Sequence, residues 1–167
     1  SLPVLPVETF IKYADFIGLP PGGGERGPAG KLFQQYADMF GWENQVATVA
    51  KVFHSLSPEE KARTIIFCDN YGEAGAIDFF GRKYGLPKAA SGHNSYWLWG
   101  PGNWDADIVI TVGERREEVA QSFADVEHAA TIVSEYARPF ETNMPIYIGR
   151  KPKIPLKEFW PQTKEFI

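Results

Sequence analysis

The chain has 167 residues, a net charge of −4 and a pI of about 5.4, a balance that argues against binding driven by phosphate neutralisation and so against nucleic acid as a partner. Its one cysteine, Cys68, excludes an intrachain disulfide. No apolar run approaches the roughly 18–20 residues that span a bilayer.

The length suits one domain over 1–167 with a real core. Aromatic residues make up 14% of the chain, with five Trp, which fits either a well-filled core or a stacking surface for ring-shaped ligands. No signal peptide is visible. The chain starts at Ser1 without a Met, and we expect a fragment or a processed form.

Pro3 and Pro6 keep residues 1–9 extended. A short helix is predicted from Glu8 to Ile17. The stretch Pro20-Pro21-Gly22-Gly23-Gly24 through Pro28 reads as a loop without the Gly-Lys-Ser/Thr ending of a phosphate cradle. From Trp42, the apolar residues Val46, Val49, Phe53 and Leu56 recur at helical spacing. Ser57-Pro58-Glu59-Glu60 is a capping box with proline at the first helical position, opening a helix to about Arg63.

Thr64–Asp69 is predicted as a buried strand that holds Cys68 as an inert thiol. A helix follows over Gly72–Tyr84, with Ala74, Ile77, Phe80 and Tyr84 on one face and Gly85 as its stop. Asp107–Val112 is a second buried strand closed by Gly113, followed by a polar helix from Glu114 to about Gln121. Phe123–Ser134 suits one or two strands and Met144–Gly149 another, with Pro145 near its start. Pro155–Phe166 suits a short C-terminal helix. This order predicts a layered α/β domain: a mainly parallel sheet with flanking helices, mixed toward the C-terminus, where the last strands run antiparallel.

The polar and aromatic residues that could carry chemistry concentrate between Asn70 and Pro101. Asn70 and Glu73 stand where a strand passes into a helix, the place where parallel sheets collect ligands. The same Asn70-x-x-Glu73 spacing is that of a capping box, and the two roles are compatible. Tyr71 shapes the entry. His93 and Asn94 lie in a polar, aromatic-rich loop where a histidine could exchange a proton with a ligand hydroxyl or satisfy the loop backbone. Tyr96, Trp97 and Trp99 alternate, and an extended segment would place Trp97 and Trp99 on one side, either as a sugar-facing platform or as packing. The ligand-binding candidates are therefore Asn70, Tyr71, Glu73, His93, Asn94, Tyr96, Trp97 and Trp99. His54 and His128 have no ligand-like spacing to His93, which argues against zinc. Asp105-Ala106-Asp107 has the spacing of a metal-holding acidic pair, but Asp107 opens a strand rather than ending one.

The run Asn-Tyr-Gly-Glu-Ala-Gly-Ala-Ile-Asp-Phe-Phe-Gly (70–81), then Tyr-Gly-Leu-Pro (84–87) and Ser-Gly-His-Asn-Ser-Tyr-Trp-Leu-Trp-Gly-Pro (91–101), resembles the soluble C-terminal part of bacterial polytopic membrane glycosyltransferases. These are the relatives of dolichyl-phosphate-mannose protein mannosyltransferases and lipid A aminoarabinose transferases. Asp38-Met39-Phe40-Gly41-Trp42 and the proline-spaced start also resemble the region after their last transmembrane helix, so the likeness covers roughly 1–113.

The resemblance implies a domain outside the cytoplasmic membrane, with residues 1–9 next to the bilayer and the transmembrane part of its own chain as partner. It implies transfer of sugar from a polyprenyl-phosphate donor, with catalytic acids in loops absent from this chain. The domain itself would be inactive alone and need no cofactor, any divalent metal belonging to the full-length enzyme. Its role would be to bind an acceptor glycan or lipid-linked sugar, or to cap the membrane active site. Two other readings rest on the residues alone: a stand-alone enzyme with Glu73 and His93 as an acid–base pair in one cleft, and a carbohydrate-binding module built on the Tyr96–Trp99 surface.

Overall fold

In the computed structural model, residues 4–19, 30–139 and 141–166 are described, and they form two compact units. The Pro20–Pro28 loop expected from composition lies outside the described residues, as do residues 1–3 of the proline-spaced start.

The smaller unit combines Ser1–Gly41 with Val133–Asn143. Its helices are α1 (Val7–Phe16) and α2 (Gln34–Ala37), the latter not anticipated from the sequence. A chain of rings holds it together: Phe10 lies 5.0 Å from Tyr36, Tyr36 lies 5.6 Å from Phe40, and Phe40 lies 5.6 Å from Tyr136. Arg138 pairs with Asp38 at 3.0 Å and tethers the returning segment.

The larger unit runs over Trp42–Ile132 and Met144–Ile167. Its elements in order are α3 (Trp42–Ser55), α4 (Pro58–Lys61), β1 (Thr64–Cys68), α5 (Tyr71–Phe80), a 3-10 turn (Gly81–Tyr84), β2 (Ala89–Ala90), α6 (Asn94–Trp99), β3 (Ile108–Val112), α7 (Arg116–Ser122), β4 (Phe123–Ile132), β5 (Met144–Pro152), α8 (Leu156–Phe159) and a final 3-10 turn (Trp160–Thr163). The strands form one sheet in the order β2-β1-β3-β5-β4. β1 runs parallel to both β2 and β3, whereas β5 is antiparallel to β3 and β4. The fold is therefore α/β with a mixed sheet, parallel in its first three strands and antiparallel toward the C-terminus, as the order of elements predicted. Residues 123–134 make one strand, ending at Ile132.

Local chemistry accounts for the breaks. Ser57 accepts from the Glu60 N–H and Glu60 accepts from the Ser57 N–H, which closes the capping box of α4. Gly85 stops the 3-10 turn in the left-handed region at φ 66°.

Alternation along the strands divides the sheet into two faces. Ile66, Cys68, Ile108, Ile110, Val112, Ile146 and Ile148 pack against Val46, Val49, Phe53, Ala74 and Ile77 of α3 and α5, forming the main core. Cys68 is fully buried there, and burial raises its thiol pKa well above the usual value. Ile65, Val109 and Ala106 face the opposite side, with Phe67, Phe123 and Leu156 against them. Gly149 makes room for this second layer: a Cβ there would stand 2.7 Å from the Phe123 ring.

Candidate functional site

The second face of the sheet does not fill. Between it, α7 and the C-terminal segment lies a cavity of about 590 Å³, within the size range of small-molecule sites. Ile65 and Phe67 of β1 and Val109 and Thr111 of β3 form its floor, and Phe159 and Trp160 stand in its wall. Four carboxylates line it near the carboxyl ends of the parallel strands and the chain terminus: Asp69, Glu114, Glu118 and Glu165, with Lys164 beside them. Connectivity dictates this grouping, because β1 and β3 run side by side and deliver the residues that follow them to one edge.

Thr111 is the polar residue in an otherwise apolar strand, Ile-Val-Ile-Thr-Val. It is 4% exposed, and its Oγ1 has no hydrogen-bond partner. At the rim, Arg115 donates from Nε to Glu118 at 2.9 Å and from its backbone N–H at 3.0 Å, which holds the Glu118 carboxyl down to about 2. Glu114 responds in the opposite sense. Burial and the charge of Asp69, followed by the hydrogen bond to Glu118 and the charges of Glu118 and Glu165, push its carboxyl up to about 8. The pair is thus pushed apart, Glu114 toward its protonated form and Glu118 toward its ionised form.

The C-terminal wall is held by the motif residues. The backbone of Glu165 donates to the Gly92 carbonyl at 2.9 Å, and the Asn94 N–H donates to the Glu165 carbonyl at 2.9 Å. His93 Nε2 meets Glu165 Oε2 at 3.1 Å. Gly92 is required for this approach, since a Cβ there would fall 1.9 Å from the Thr163 carbonyl oxygen. Lys164 lies over the rings of Trp97, at 4.9 Å, and Phe166, at 4.7 Å.

Each of the eight candidates now has a place. Asn70 caps α5, its Oδ1 accepting from the N–H groups of Gly72 at 2.9 Å and Glu73 at 3.0 Å. The Glu73 side chain is buried against the turn after β3: its carboxylate oxygens lie 3.0–3.1 Å from where a Gly113 Cβ would stand, and Gly113 has φ 85°. Tyr71 is half exposed, with its ring centroid 5.7 Å from that of His93. His93 is 4% exposed and stands at the N-terminal boundary of α6, where its side chain makes no capping hydrogen bond, and Asn94 opens that helix at φ 48°.

The extended reading of Tyr96–Trp99 is corrected, because these residues are helical and Trp97 and Trp99 point different ways. Tyr96 lies 4.9 Å from the exposed Trp99 and donates to Asp78 at 3.2 Å; burial and that carboxylate push the phenol up to about 12. Trp97 turns instead to Trp160 and Phe166. Asp105 and Asp107 are engaged by Lys157 at 3.1 Å and by Arg63.

The residues lining the cavity include Gly92 but none of the eight candidates. Thr111, Glu114 and the C-terminal wall escaped the sequence reading; the lone Thr of β3 and the Glu directly after its closing Gly113 are the signals that were available.

Comparison of the chain with family models, with curated proteins and with solved structures gave no match.

Proposed function

We propose that this chain is the extracytoplasmic domain of a membrane glycosyltransferase that takes sugar from a polyprenyl-phosphate donor, and that its cleft binds the acceptor. The family part of this reading is supported by the 70–101 motif. The acceptor part is carried by one observation: an apolar, aromatic-lined cavity with four carboxylates beyond the ends of β1 and β3, a fifth, Asp107, paired with Arg63 at the start of β3, and the unpartnered Thr111 Oγ1 in its floor. Sugars present apolar ring faces and a rim of hydroxyls, and this wall offers a surface for each. The carboxylates disfavour a phosphate, so the cleft suits an acceptor better than the lipid-phosphate donor. In this account the reaction centre, and any divalent metal it uses, belong to the transmembrane part of the protein. The motif residues Gly92, His93 and Trp97 serve by holding the wall in place.

The test is sugar transfer by membranes carrying the whole protein, with Thr111→Val beside wild type. The reading expects a raised KM for acceptor and an unchanged KM for the lipid-linked donor. Equal acceptor KM values in the two proteins, or no transfer from any polyprenyl-phosphate sugar, would contradict it.

A further inference from the structure

Outside the cleft, α5 and α6 join into a face whose charge differs from that of the chain as a whole. Tyr71, Gly75, Asp78 and Phe79 recur at i, i+4, i+7 and i+8, so they share one stripe of α5. Tyr96 fastens α6 beside that stripe, its hydroxyl donating to Asp78 at 3.2 Å, and Trp99 lies against Tyr96 at 4.9 Å. The fold leaves this face uncovered: Phe79 is 75% exposed, Trp99 69%, Leu98 67% and Tyr71 53%. Single exposed apolar residues are ordinary, but four large ones on two joined helices mark a contact surface.

The exposed charges beside them are of one sign. Between Tyr71 and Gly100 the acids are Glu73 and Asp78. Glu73 is 3% exposed, and Asp78 is engaged by Tyr96 and by the Ala89 N–H at 2.9 Å. The cations of the same stretch, Arg82, Lys83 and Lys88, are all exposed. Arg82 follows Phe79 by three residues, and Lys88 adjoins the Ala89 that bonds Asp78, so both border the apolar face. Lys83 reaches Glu43 of α3 at 3.8 Å and lies over the Phe80 and Tyr84 rings. Among the described residues, neither Arg82 nor Lys88 has an ion pair. Exposed apolar residues also occur on α1, at Tyr13 and Phe16, but the charges there are Glu8, Lys12 and Asp15, with no excess of cations.

We infer that the α5–α6 face docks on a bilayer of anionic lipid, with Phe79, Leu98 and Trp99 at the head-group boundary and Arg82 and Lys88 against the lipid phosphates. Aromatic side chains settle at that depth, and cations beside them add attraction to an anionic surface. The cleft takes no part in this contact, so the docking face and the acceptor reading can fail separately.

The experiment is co-sedimentation of the chain with vesicles of phosphatidylcholine alone and of equimolar phosphatidylcholine and phosphatidylglycerol, at low and at high salt. Binding to the mixed vesicles is expected at low salt, with little to the neutral ones and a loss as salt rises. Arg82→Gln and Lys88→Gln should each weaken partitioning roughly fivefold. Phe79→Ser should weaken it roughly tenfold, whereas Phe16→Ser should leave it unchanged. Both phenylalanines are largely exposed, so neither variant disturbs the core. Equal binding to the two kinds of vesicle, or binding to neither, would overturn the assignment. A loss with Phe16→Ser and none with Phe79→Ser would place the contact on α1 and overturn it as well.

Discussion

Trp97 and Trp160 donate their indole N–H groups to each other's backbone carbonyl, both at 3.2 Å. The exchange joins α6, which carries the aromatic motif, to the turn that walls the cleft. Trp160 is 4% exposed and packs edge-on against Phe67 at 6.3 Å and Trp104 at 6.0 Å. Trp160→Ala should therefore cost roughly 3–5 kcal/mol, the usual range for a large aromatic removed from a packed site. Trp97→Phe, which keeps a ring but loses one donor, should cost about 1 kcal/mol. Urea unfolding curves of the two variants would check both values and their order.

Gly92 sets how closely the terminal segment approaches. Because the obstructing atom is the Thr163 backbone oxygen, Gly92→Ala cannot be accommodated by a side-chain rotation. The expected result is displacement of residues 160–166, with faster amide exchange at Glu165 and a loss of roughly 1–3 kcal/mol. Hydrogen exchange in α3 should change only as far as global stability falls.

Glu114 and Glu118 give stability opposite pH dependences. The folded-state pKa of Glu118 is depressed, so its contribution is present above the unfolded value near 4.5 and is lost as pH falls toward about 2. Glu114 is raised to about 8, so the folded chain holds a proton that the unfolded chain releases, and stability declines as pH rises from about 4.5 to 8. Glu114→Gln should remove that decline. The variant should match wild type near pH 5 and melt higher by at least several degrees near pH 8, read by thermal unfolding across the range.

The Asn70 cap is a local contact and should behave as one. Asn70→Ala leaves two N–H groups at the start of α5 without their acceptor and should cost about 1 kcal/mol. Asn70→Asp restores the acceptor and should recover most of that loss. A calorimetric comparison of the three proteins would check it.

These contacts also show which parts of the molecule were legible in the sequence. The Ser57–Glu60 box, the Asn70 cap, the Gly85 stop and the apolar spacing of α3 are signals contained within a few residues, and each predicted element is present. α6 was not legible because Tyr96-Trp97-Leu98-Trp99 has neither a clear apolar face nor a side-chain cap, and its helix is secured by the exchange with Trp160, 63 residues away. β2 is two residues long and is defined by its pairing with Ile66 and Phe67. The cleft was least legible. Its walls come from β1, Gly92, β3, the run from α7 into Phe123 and residues 152–165, and no local pattern announces that segments so far apart in the chain will enclose one space.

The most direct test of the central claim is an amide NMR titration of this chain with a panel of glycans and with a polyprenyl-phosphate sugar. The account predicts saturable shifts at Thr111, Glu114 and Trp160 with glycan, and none at those positions with the lipid-linked sugar. Saturable shifts there with the lipid-linked sugar, or glycan-induced shifts confined to the exposed Tyr71 and Trp99, would contradict it.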